Sequence, residues 1–134
     1  MIDPIETEIV KSYAHLTNQK NPVLGRKDDS EKAPLVQGCL NYFPLALNAV
    51  AMISKFGATK YKTSFAEKNW LHVDNGIARY TDACGRHLIT DEVCDSDSNY
   101  LHAAHCAWDA LARLELILRA GTALQGPPKA TDQS

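Results

Sequence analysis

Two histidines and an aspartate recur at helical spacing in the stretch NYLHAAHCAWDALARLELIL, residues 99–118. Because residues three or four apart share one face of a helix, His102, His105 and Asp109 form a single polar stripe. Lys and Glu are better helix formers for a face that only contacts water. Imidazoles bind metal ions or phosphate and transfer protons near neutral pH. The stripe is therefore a candidate site for such chemistry, with a solvated helix face as the alternative.

Four carboxylates lie within seven residues just before the stripe, at Asp91, Glu92, Asp95 and Asp97. A solvated turn that complements a helix N-terminus explains most clusters of this kind. The ExxD spacing of Glu92 and Asp95 also suits an oxygen-rich Mg²⁺ or Mn²⁺ site. The run is too short for an EF-hand loop and lacks its central Gly and closing Glu, which excludes calcium.

A second row of charges is predicted on the preceding helix, where Arg79, Asp82 and Arg86 share a face opposite Ile77 and Cys84. A surface row of ion pairs is one interpretation of this pattern. If the helix borders a cleft, the arginines suit phosphate oxygens through their planar fork, and Asp82 suits a hard cation. Both interpretations stay open at this point.

The cysteines give little support for metal or nucleophilic chemistry. Cys39, Cys84, Cys94 and Cys106 are irregularly spaced, which predicts reduced thiols. No pair has the C-x₂₋₄-C spacing of a structural zinc site, although cysteines and histidines could be mixed into a four-ligand set. Nothing in the sequence marks any of the four as an activated nucleophile.

Composition predicts one soluble domain. The chain has 134 residues, of which 45% are hydrophobic and 22% charged. Its net charge of -2 lacks the basic excess of nucleic-acid-binding proteins. No apolar run approaches the roughly 20 residues that span a bilayer, and the acidic N-terminal stretch differs from a signal peptide. We therefore expect no nucleic acid partner, no membrane association and a cytoplasmic location.

Helices are the elements that must position these side chains. Asp3 and Pro4 predict the start of a helix near residues 4–16, and Pro44 opens a second helix that Gly57 ends. No stretch shows the two-residue alternation of a half-buried strand for long enough to predict one. The expected fold class is all-α.

Two further helices are predicted to carry the polar rows. Asp74 or Asn75 caps the third, and Ser98 caps a final helix that runs to about residue 120. A single domain is expected over residues 1–120, followed by a flexible tail over residues 121–134. A domain with so few helices has a thin apolar core, so homo-oligomerisation is expected. The face of the final helix predicted to meet the core comprises Ala104, Trp108, Leu111, Leu114 and Leu118.

Several segments in a fixed order resemble a phage and bacterial family, the dATP/dGTP diphosphohydrolases. They read EKAPL, KFGATKY, NW, GIARYTDACGRHL, DEVCDSDS and HAAHCAWDALARLEL, and they extend from Lys32 to Leu118. The family pattern is GKxPL, FGAxKY, NW, RYxDAxxRH, GExxD and HxxHAxWNALxxLE. This family is similar to the MazG-like all-α NTP pyrophosphohydrolases, and one member supplies dGMP in phages that replace adenine with 2-aminoadenine.

The resemblance implies both a fold and a reaction. The implied fold is a MazG-like helical bundle completed by homo-oligomerisation into a dimer or tetramer. The implied reaction is hydrolysis of a purine dNTP, dGTP or dATP, between the α and β phosphates to give the monophosphate and pyrophosphate. Mg²⁺ or Mn²⁺ is expected as cofactor, held by acidic residues on neighbouring helices.

The resemblance also carries residue assignments. The metal ligands are predicted to be Asp82, Glu92 and Asp95. Catalytic roles are predicted for Asp82 and Glu92, with His102 or His105 as a further ligand or as proton carrier. The chain departs from the family pattern at Asp109, where the pattern has Asn.

Substrate-binding roles are predicted for residues in the other matched segments. Lys60, Arg79 and Arg86 are expected to hold the phosphate chain. Asn69 is expected to hydrogen-bond the purine, and Trp70 or Tyr61 to stack on it. The alternative function is a small helical adaptor module without catalysis, whose polar stripes contact a protein partner.

Overall fold

The computed structural model describes residues 3–17 and 25–125 of the chain. Within these ranges the chain forms helices and no β-strand, apart from an isolated antiparallel bridge between Cys94 and Leu101. This confirms the all-α fold class. The four α-helices are α1 (Pro4–Thr17), α2 (Pro44–Lys60), α3 (Gly76–Ile89) and α4 (His102–Gln125), with a π-helical turn at Val36–Leu40 and a 3₁₀ turn at Asn69–His72.

Contacts between residues divide the chain into two compact units, Met1–Pro34 and Leu35–Ser134. The first unit contains α1, which begins where the sequence predicts. The backbone N–H of Ile5 donates a hydrogen bond to Asp3 Oδ1 over 2.9 Å, so the Asp3 side chain satisfies one of the free donors of the first turn. The other three α-helices belong to the second unit.

Helix α2 begins at Pro44 as predicted, but it does not end at Gly57. The helix continues to Lys60, and the backbone N–H of Tyr61 still donates to the Gly57 carbonyl over 3.0 Å. A glycine inside a helix costs only about 1 kcal/mol relative to alanine, so it need not end the element. The chain leaves the helical conformation at Lys62, whose φ is +53°.

Helices α3 and α4 pack extensively against each other and form the scaffold of the second unit. The Arg113 Nε donates to Thr81 Oγ1 over 2.8 Å. The thiols of Cys84 and Cys106 also meet across the interface, with their sulfur atoms 3.5 Å apart. At Gly76 a Cβ would lie 2.9 Å from a methyl of Leu116, so the absence of a side chain permits this close approach.

The N-cap position predicted for α3 is confirmed at Asn75, whereas the N-cap predicted for α4 at Ser98 is wrong. Asn75 occupies the N-cap position of α3, but its side chain makes no capping hydrogen bond. Ser98 does not cap α4, because that helix begins four residues later at His102. Ser98 belongs to the short loop before α4, which contains the bridge between Cys94 and Leu101. Its hydroxyl donates a hydrogen bond to Asp95 instead.

The face of α4 that turns inward matches the predicted one only at Ala104, which is buried, and at Trp108, which is half-buried. Ala104, Asp109 and Ala112 are buried, whereas Leu111 and Leu114 are 46% and 51% exposed. The prediction of the core face is therefore wrong for these leucines, since α4 packs through its small and polar side chains. The polar stripe that the sequence left open as a solvated face lies instead toward the neighbouring helices.

The apolar core of the second unit is thin. Among the described residues, Ile53, Ala104 and Ala112 are the buried apolar side chains. Of the described helices, none combines the length and the apolar character that a bilayer-spanning segment requires. Helix α4 extends to Gln125, beyond the predicted boundary at residue 120, and residues 126–134 of the predicted tail lie outside the described residues.

Candidate active site

A cleft of about 670 Å³ opens in the second unit. Its walls come from α2, the loop that follows α2, the 3₁₀ turn, α3, the loop before α4 and α4 itself. This volume falls in the range of clefts that bind small molecules. The polar stripe of α4 contributes His105 and Asp109 to the lining.

Three imidazoles meet at one end of the cleft. The Nδ1 atoms of His87 and His102 are 2.8 Å apart, so the Nδ1–H of one ring donates a hydrogen bond to the Nδ1 of the other. The rings of His87 and His105 stack with centroids 4.7 Å apart and planes inclined by 14°. Helix α3 supplies His87 and helix α4 supplies the other two, so the packing of these helices fixes the cluster. We call these residues the histidine cluster.

Asp95 joins the histidine cluster from the loop before α4. Its Oδ2 accepts hydrogen bonds from the backbone N–H and the hydroxyl of Ser98, both over 2.9 Å, and lies 3.9 Å from His105 Nε2. The Ser98 hydroxyl also hydrogen-bonds His105 Nε2 over 2.7 Å. The serine thus fixes the carboxylate and the imidazole relative to each other.

The surroundings favour the neutral form of His87 and His105 and the charged form of Asp95. Removal from water, reinforced by the other histidines, lowers the pKa of His87. Removal from water also lowers the pKa of His105, partly offset by Asp95. For Asp95, burial alone would raise the pKa, but the hydrogen bonds from Ser98 lower it below the ordinary value. Neutral imidazole and ionised carboxylate are the forms that ligate metal ions.

The described residues offer one constellation that could hold a metal ion. Ligand atoms of His87, Asp95 and His102 lie within 4.8 Å of one another. Two imidazole nitrogens and one carboxylate oxygen fit a divalent first-row transition ion such as Mn²⁺. The fit to Mg²⁺ is poorer, because Mg²⁺ prefers oxygen ligands.

Cationic side chains line the cleft near the histidine cluster. Lys60 Nζ lies 2.6 Å from Asp97 Oδ2 and is 5.7 Å from the centroid of the Phe56 ring. Arg79 and Arg86, both on α3, also line the cleft. Lys68 lines the cleft as well, so anionic groups that enter it would meet four basic side chains, alongside the carboxylates of Asp95, Asp97 and Asp109.

Three aromatic rings form another part of the wall. Trp108 packs edge to face against Trp70 and Tyr80, with ring centroids 6.0 Å and 5.6 Å away. The indole N–H of Trp108 donates to Ser54 Oγ over 2.8 Å, which ties α4 to α2. The Tyr80 hydroxyl donates to the Trp70 carbonyl over 2.9 Å. These hydrogen bonds fix a rigid apolar wall suited to a planar ring.

Asp109 lies beside this aromatic wall and is only 7% exposed. Its Oδ2 is buried and has no hydrogen-bond partner. Burial raises the pKa of the Asp109 carboxyl to about 6, although the nearby Arg86 opposes this. A buried carboxylate without a partner is costly to folding.

We expect Asp109→Asn to raise the free energy of unfolding at about pH 8 by about 2–3 kcal/mol, because it removes the buried charge. The pKa of about 6 exceeds the ordinary 3.8. Folding therefore favours the protonated form. The wild type should carry no penalty below about pH 4, lose stability as the pH rises toward 6, and level off above that.

Urea denaturation of both proteins across this pH range measures the effect. The difference in unfolding free energy should grow between about pH 4 and pH 6 and then stay constant. A difference that is the same at every pH would contradict the burial of this carboxyl.

The structure brings most of the predicted site residues together. The predicted substrate-binding residues all line the cleft, namely Lys60, Tyr61, Asn69, Trp70, Arg79 and Arg86. Of the predicted catalytic and metal residues, His105 and Asp95 line it, and His102 adjoins it through His87. Their roles stay predictions.

Asp82 and Glu92 lie elsewhere. Both are exposed, and neither is among the residues that line the cleft. The sequence motifs predict neither His87 as a ligand of the proposed metal ion nor Tyr80 as part of the aromatic wall. His87 directly follows Arg86 in the segment GRH, and that adjacency to a predicted phosphate ligand is the signal that could have identified it.

The comparisons with known proteins agree with the motifs. Neither the curated proteins nor the solved structures include a match. The family model described as dATP/dGTP diphosphohydrolase, N-terminal, matches residues 22–125. This range contains the cleft, the histidine cluster and the aromatic wall. The chain therefore belongs to the dATP/dGTP diphosphohydrolase family.

Proposed function

We propose that the chain hydrolyses a purine deoxynucleoside triphosphate, dGTP or dATP, between the α and β phosphates and releases the monophosphate and pyrophosphate. The observation that carries this proposal is one cleft whose walls combine basic side chains, the histidine cluster with Asp95, and an aromatic wall. Family membership supports the diphosphohydrolase reaction.

Phosphate binding is assigned to Lys60, Arg79 and Arg86. Phosphoryl chemistry depends mainly on positioning and charge neutralisation, and these side chains of α2 and α3 can supply both. Lys60 forms an ion pair with Asp97 over 2.6 Å, and both residues line the cleft. The two guanidinium groups offer paired N–H donors to phosphate oxygens.

Metal binding is assigned to His87, Asp95 and His102, with Mn²⁺ favoured over Mg²⁺ by the imidazole ligands. A bound divalent ion supplies positive charge to the phosphate oxygens and makes a coordinated water more acidic. His105 is assigned the role of proton carrier. Its Nε2 shares a hydrogen bond with the Ser98 hydroxyl, which orients the ring while its neutral form can accept a proton.

Purine binding is assigned to the aromatic wall and its neighbours. Trp70 lines the cleft and supplies a π-face for stacking, and Tyr61 lines it on the side of Lys60. The side chain of Asn69 is exposed at the start of the 3₁₀ turn and lines the same cleft. Its amide offers both a donor and an acceptor to a base edge.

The test is a turnover assay on the purified full chain with dGTP or dATP and either Mn²⁺ or Mg²⁺. We expect pyrophosphate and the deoxynucleoside monophosphate in equal amounts. Release of inorganic phosphate alone, or no turnover with either metal, would refute the proposal. Thermal stabilisation by nucleotide should accompany turnover, because a ligand of the folded state raises its apparent stability. Its absence would favour the adaptor function.

The setting we propose is nucleotide metabolism for 2-aminoadenine DNA in a phage, in the cytoplasm of the infected cell. Support comes from the resemblance of the motifs to the family member that supplies dGMP in such phages. That role requires dGTP as the preferred substrate. The net charge of -2 supports a nucleotide rather than a nucleic acid as the bound species.

We further propose that the chain acts as a homo-oligomer. Leu111, Leu114 and Ile117 share one side of α4, and all three are exposed. They lie on the side of α4 away from the buried Asp109 and Ala112, so they do not contribute to the cleft. A second copy of the chain is the occupant that would complete the thin core, as in helical bundles that assemble from equal subunits.

A further inference from the structure

The thiols of Cys84 and Cys106 meet in the interface between α3 and α4, and the proposed function gives them no role. Their sulfur atoms are 3.5 Å apart, and Cys84 Sγ also lies 3.5 Å from the carbonyl oxygen of Cys106. Both side chains are half-buried, and neither residue is among those that line the cleft. Cys39 and Cys94 also lie in the described ranges, and neither of them contacts another sulfur atom there.

The thiol pair lies one helical turn from the contact between His87 and His102. Cys84 precedes His87 on α3 by one turn, and Cys106 follows His102 on α4 by one turn, a step of roughly 5 Å on each helix. The two contacts run in opposite directions along the helices, so α3 and α4 are antiparallel at this point. The packing that fixes the histidine cluster therefore also holds the two thiols together.

A disulfide bond between these thiols requires little movement. Bonded sulfur atoms are about 2 Å apart. Starting from a separation of 3.5 Å, each sulfur has to move by roughly 0.7 Å. Rotation of the two side chains can supply a displacement of this size.

We propose that Cys84 and Cys106 are a redox modification site, at which a peroxide forms a reversible disulfide that closes a covalent ring around the histidine cluster. The ring comprises residues 84–106 and contains the end of α3, the loop with Asp95 and the start of α4. All the residues assigned to the metal ion lie within it. In a reducing compartment both thiols stay free, and disulfides of cytosolic proteins are typically transient products of oxidation.

The reaction consumes two thiols and one molecule of hydrogen peroxide. The first thiolate attacks peroxide: an S–O bond forms, the O–O bond breaks and hydroxide leaves, which gives a sulfenic acid. The second thiolate attacks that sulfur: the S–S bond forms, the S–O bond breaks and a second hydroxide leaves. The two thiol protons convert the hydroxides to water. Burial and the hydrogen bond with Cys84 raise the pKa of Cys106, so Cys106 is assigned the second step.

The ring should stabilise the part of the chain that carries the histidine cluster. A disulfide that closes a loop of this length restricts the unfolded chain, which corresponds to a rise of about 10 °C in melting temperature for a small domain. The bond also opposes local separation of α3 from α4. Backbone amides inside the ring should therefore exchange their hydrogens more slowly after oxidation.

The first test removes the other two cysteines in the variant Cys39→Ser/Cys94→Ser. Treatment with hydrogen peroxide should lower its mass by about 2 Da, through loss of two hydrogen atoms, and dithiothreitol should reverse the change. Trypsin leaves the two remaining cysteines in the peptides 80–86 and 87–113, which should be recovered joined to each other. A gain of oxygen without a joined peptide pair, or a covalent dimer of two chains, would overturn the proposal.

The second test compares the stability of this variant in its oxidised and reduced states. Oxidation should raise the melting temperature by about 10 °C and slow amide hydrogen exchange within residues 87–105. The matched control adds Cys84→Ser, which leaves one thiol of the pair, and peroxide should change neither measurement. Circular dichroism checks that the control is folded. Equal melting temperatures in the two states, or the same rise in the control, would overturn the proposal.

The disulfide and the proposed reaction fail independently, because neither test uses a nucleotide or a metal ion. Absence of the disulfide leaves the reaction intact. Absence of pyrophosphate release from dGTP or dATP leaves the disulfide intact.

Discussion

Replacement of Asp95 by Asn should lower metal-dependent pyrophosphate release by about a hundredfold or more. The substitution removes the charged ligand of the proposed metal site while preserving its shape, and it weakens the acceptor that Ser98 holds. Partners one step removed from a metal ligand already account for tenfold to hundredfold in affinity or activity. The measurement is initial rate with dGTP as a function of Mn²⁺ concentration, together with Mn²⁺ affinity by calorimetry.

Asp91→Asn is the matched control for this prediction. It makes the same carboxylate-to-amide change in the same loop, but Asp91 is exposed and does not line the cleft. We expect its activity to remain near that of the wild type. His102→Ala should resemble Asp95→Asn in both measurements, because it removes a second ligand of the same ion.

The opposite outcome would be equally informative. In that case Asp95→Asn keeps full activity while Asp82→Ala and Glu92→Ala lose it. That result would assign the metal to Asp82 and Glu92, two of the ligands predicted from the sequence. Both of these residues are exposed, so their truncation should not unfold the chain. Circular dichroism of each variant separates loss of activity from loss of structure.

Leu114→Glu should dissociate the oligomer and lower the free energy of unfolding by several kcal/mol. In an isolated chain the change would cost about 0.5 kcal/mol or less, because Leu114 is 51% exposed. In a buried interface it would place an unpaired charge among apolar side chains, which is strongly destabilising. The thin core implies that dissociated chains are only marginally stable.

Sedimentation equilibrium and thermal melting at several protein concentrations measure both effects. The wild type should sediment at a multiple of the chain mass, and its melting temperature should rise with concentration. Leu114→Met keeps an apolar side chain of similar volume and should behave as the wild type. A wild type that sediments as a single chain, or a Leu114→Glu variant with wild-type stability, would contradict the proposed interface.

Much of the fold follows from local signals in the sequence. Asp3 and Pro44 mark the first residues of α1 and α2, because a capping oxygen and a fixed φ act within one turn. Helix ends were less predictable. Gly57 lies inside α2, since a glycine weakens a helix only slightly and the actual end depends on the turn at Lys62.

The inward face of α4 could be predicted only in part from periodicity, which places Ala104 and Trp108 correctly. Periodicity assigns apolar residues to the core, but here Leu114 is exposed and Asp109 is buried. The reason is tertiary: α4 packs closely against α3, as at Gly76 and Leu116, and the polar stripe borders a cleft. The hydrophobic periodicity of one sequence does not distinguish a helix face that packs within its own chain from a face that packs against a second copy of the chain.

The candidate site was predicted best where side-chain type alone implies a task. Lys60, Arg79 and Trp70 were chosen for charge or ring, and all line the cleft. Spacing places Asp82 and Arg79 on one face of α3, but Arg79 lines the cleft and the exposed Asp82 does not. His87 required the packing of two helices to be known, because its partners come from α4.

The aromatic wall has a practical consequence for spectroscopy. The chain contains two tryptophans, Trp70 and Trp108, and both belong to that wall with ring centroids 6.0 Å apart. Intrinsic emission from the indoles therefore originates entirely at the cleft surface, with no background from distant chromophores. Occupancy of the cleft by a purine can thus be followed by quenching of native fluorescence, without attaching any dye.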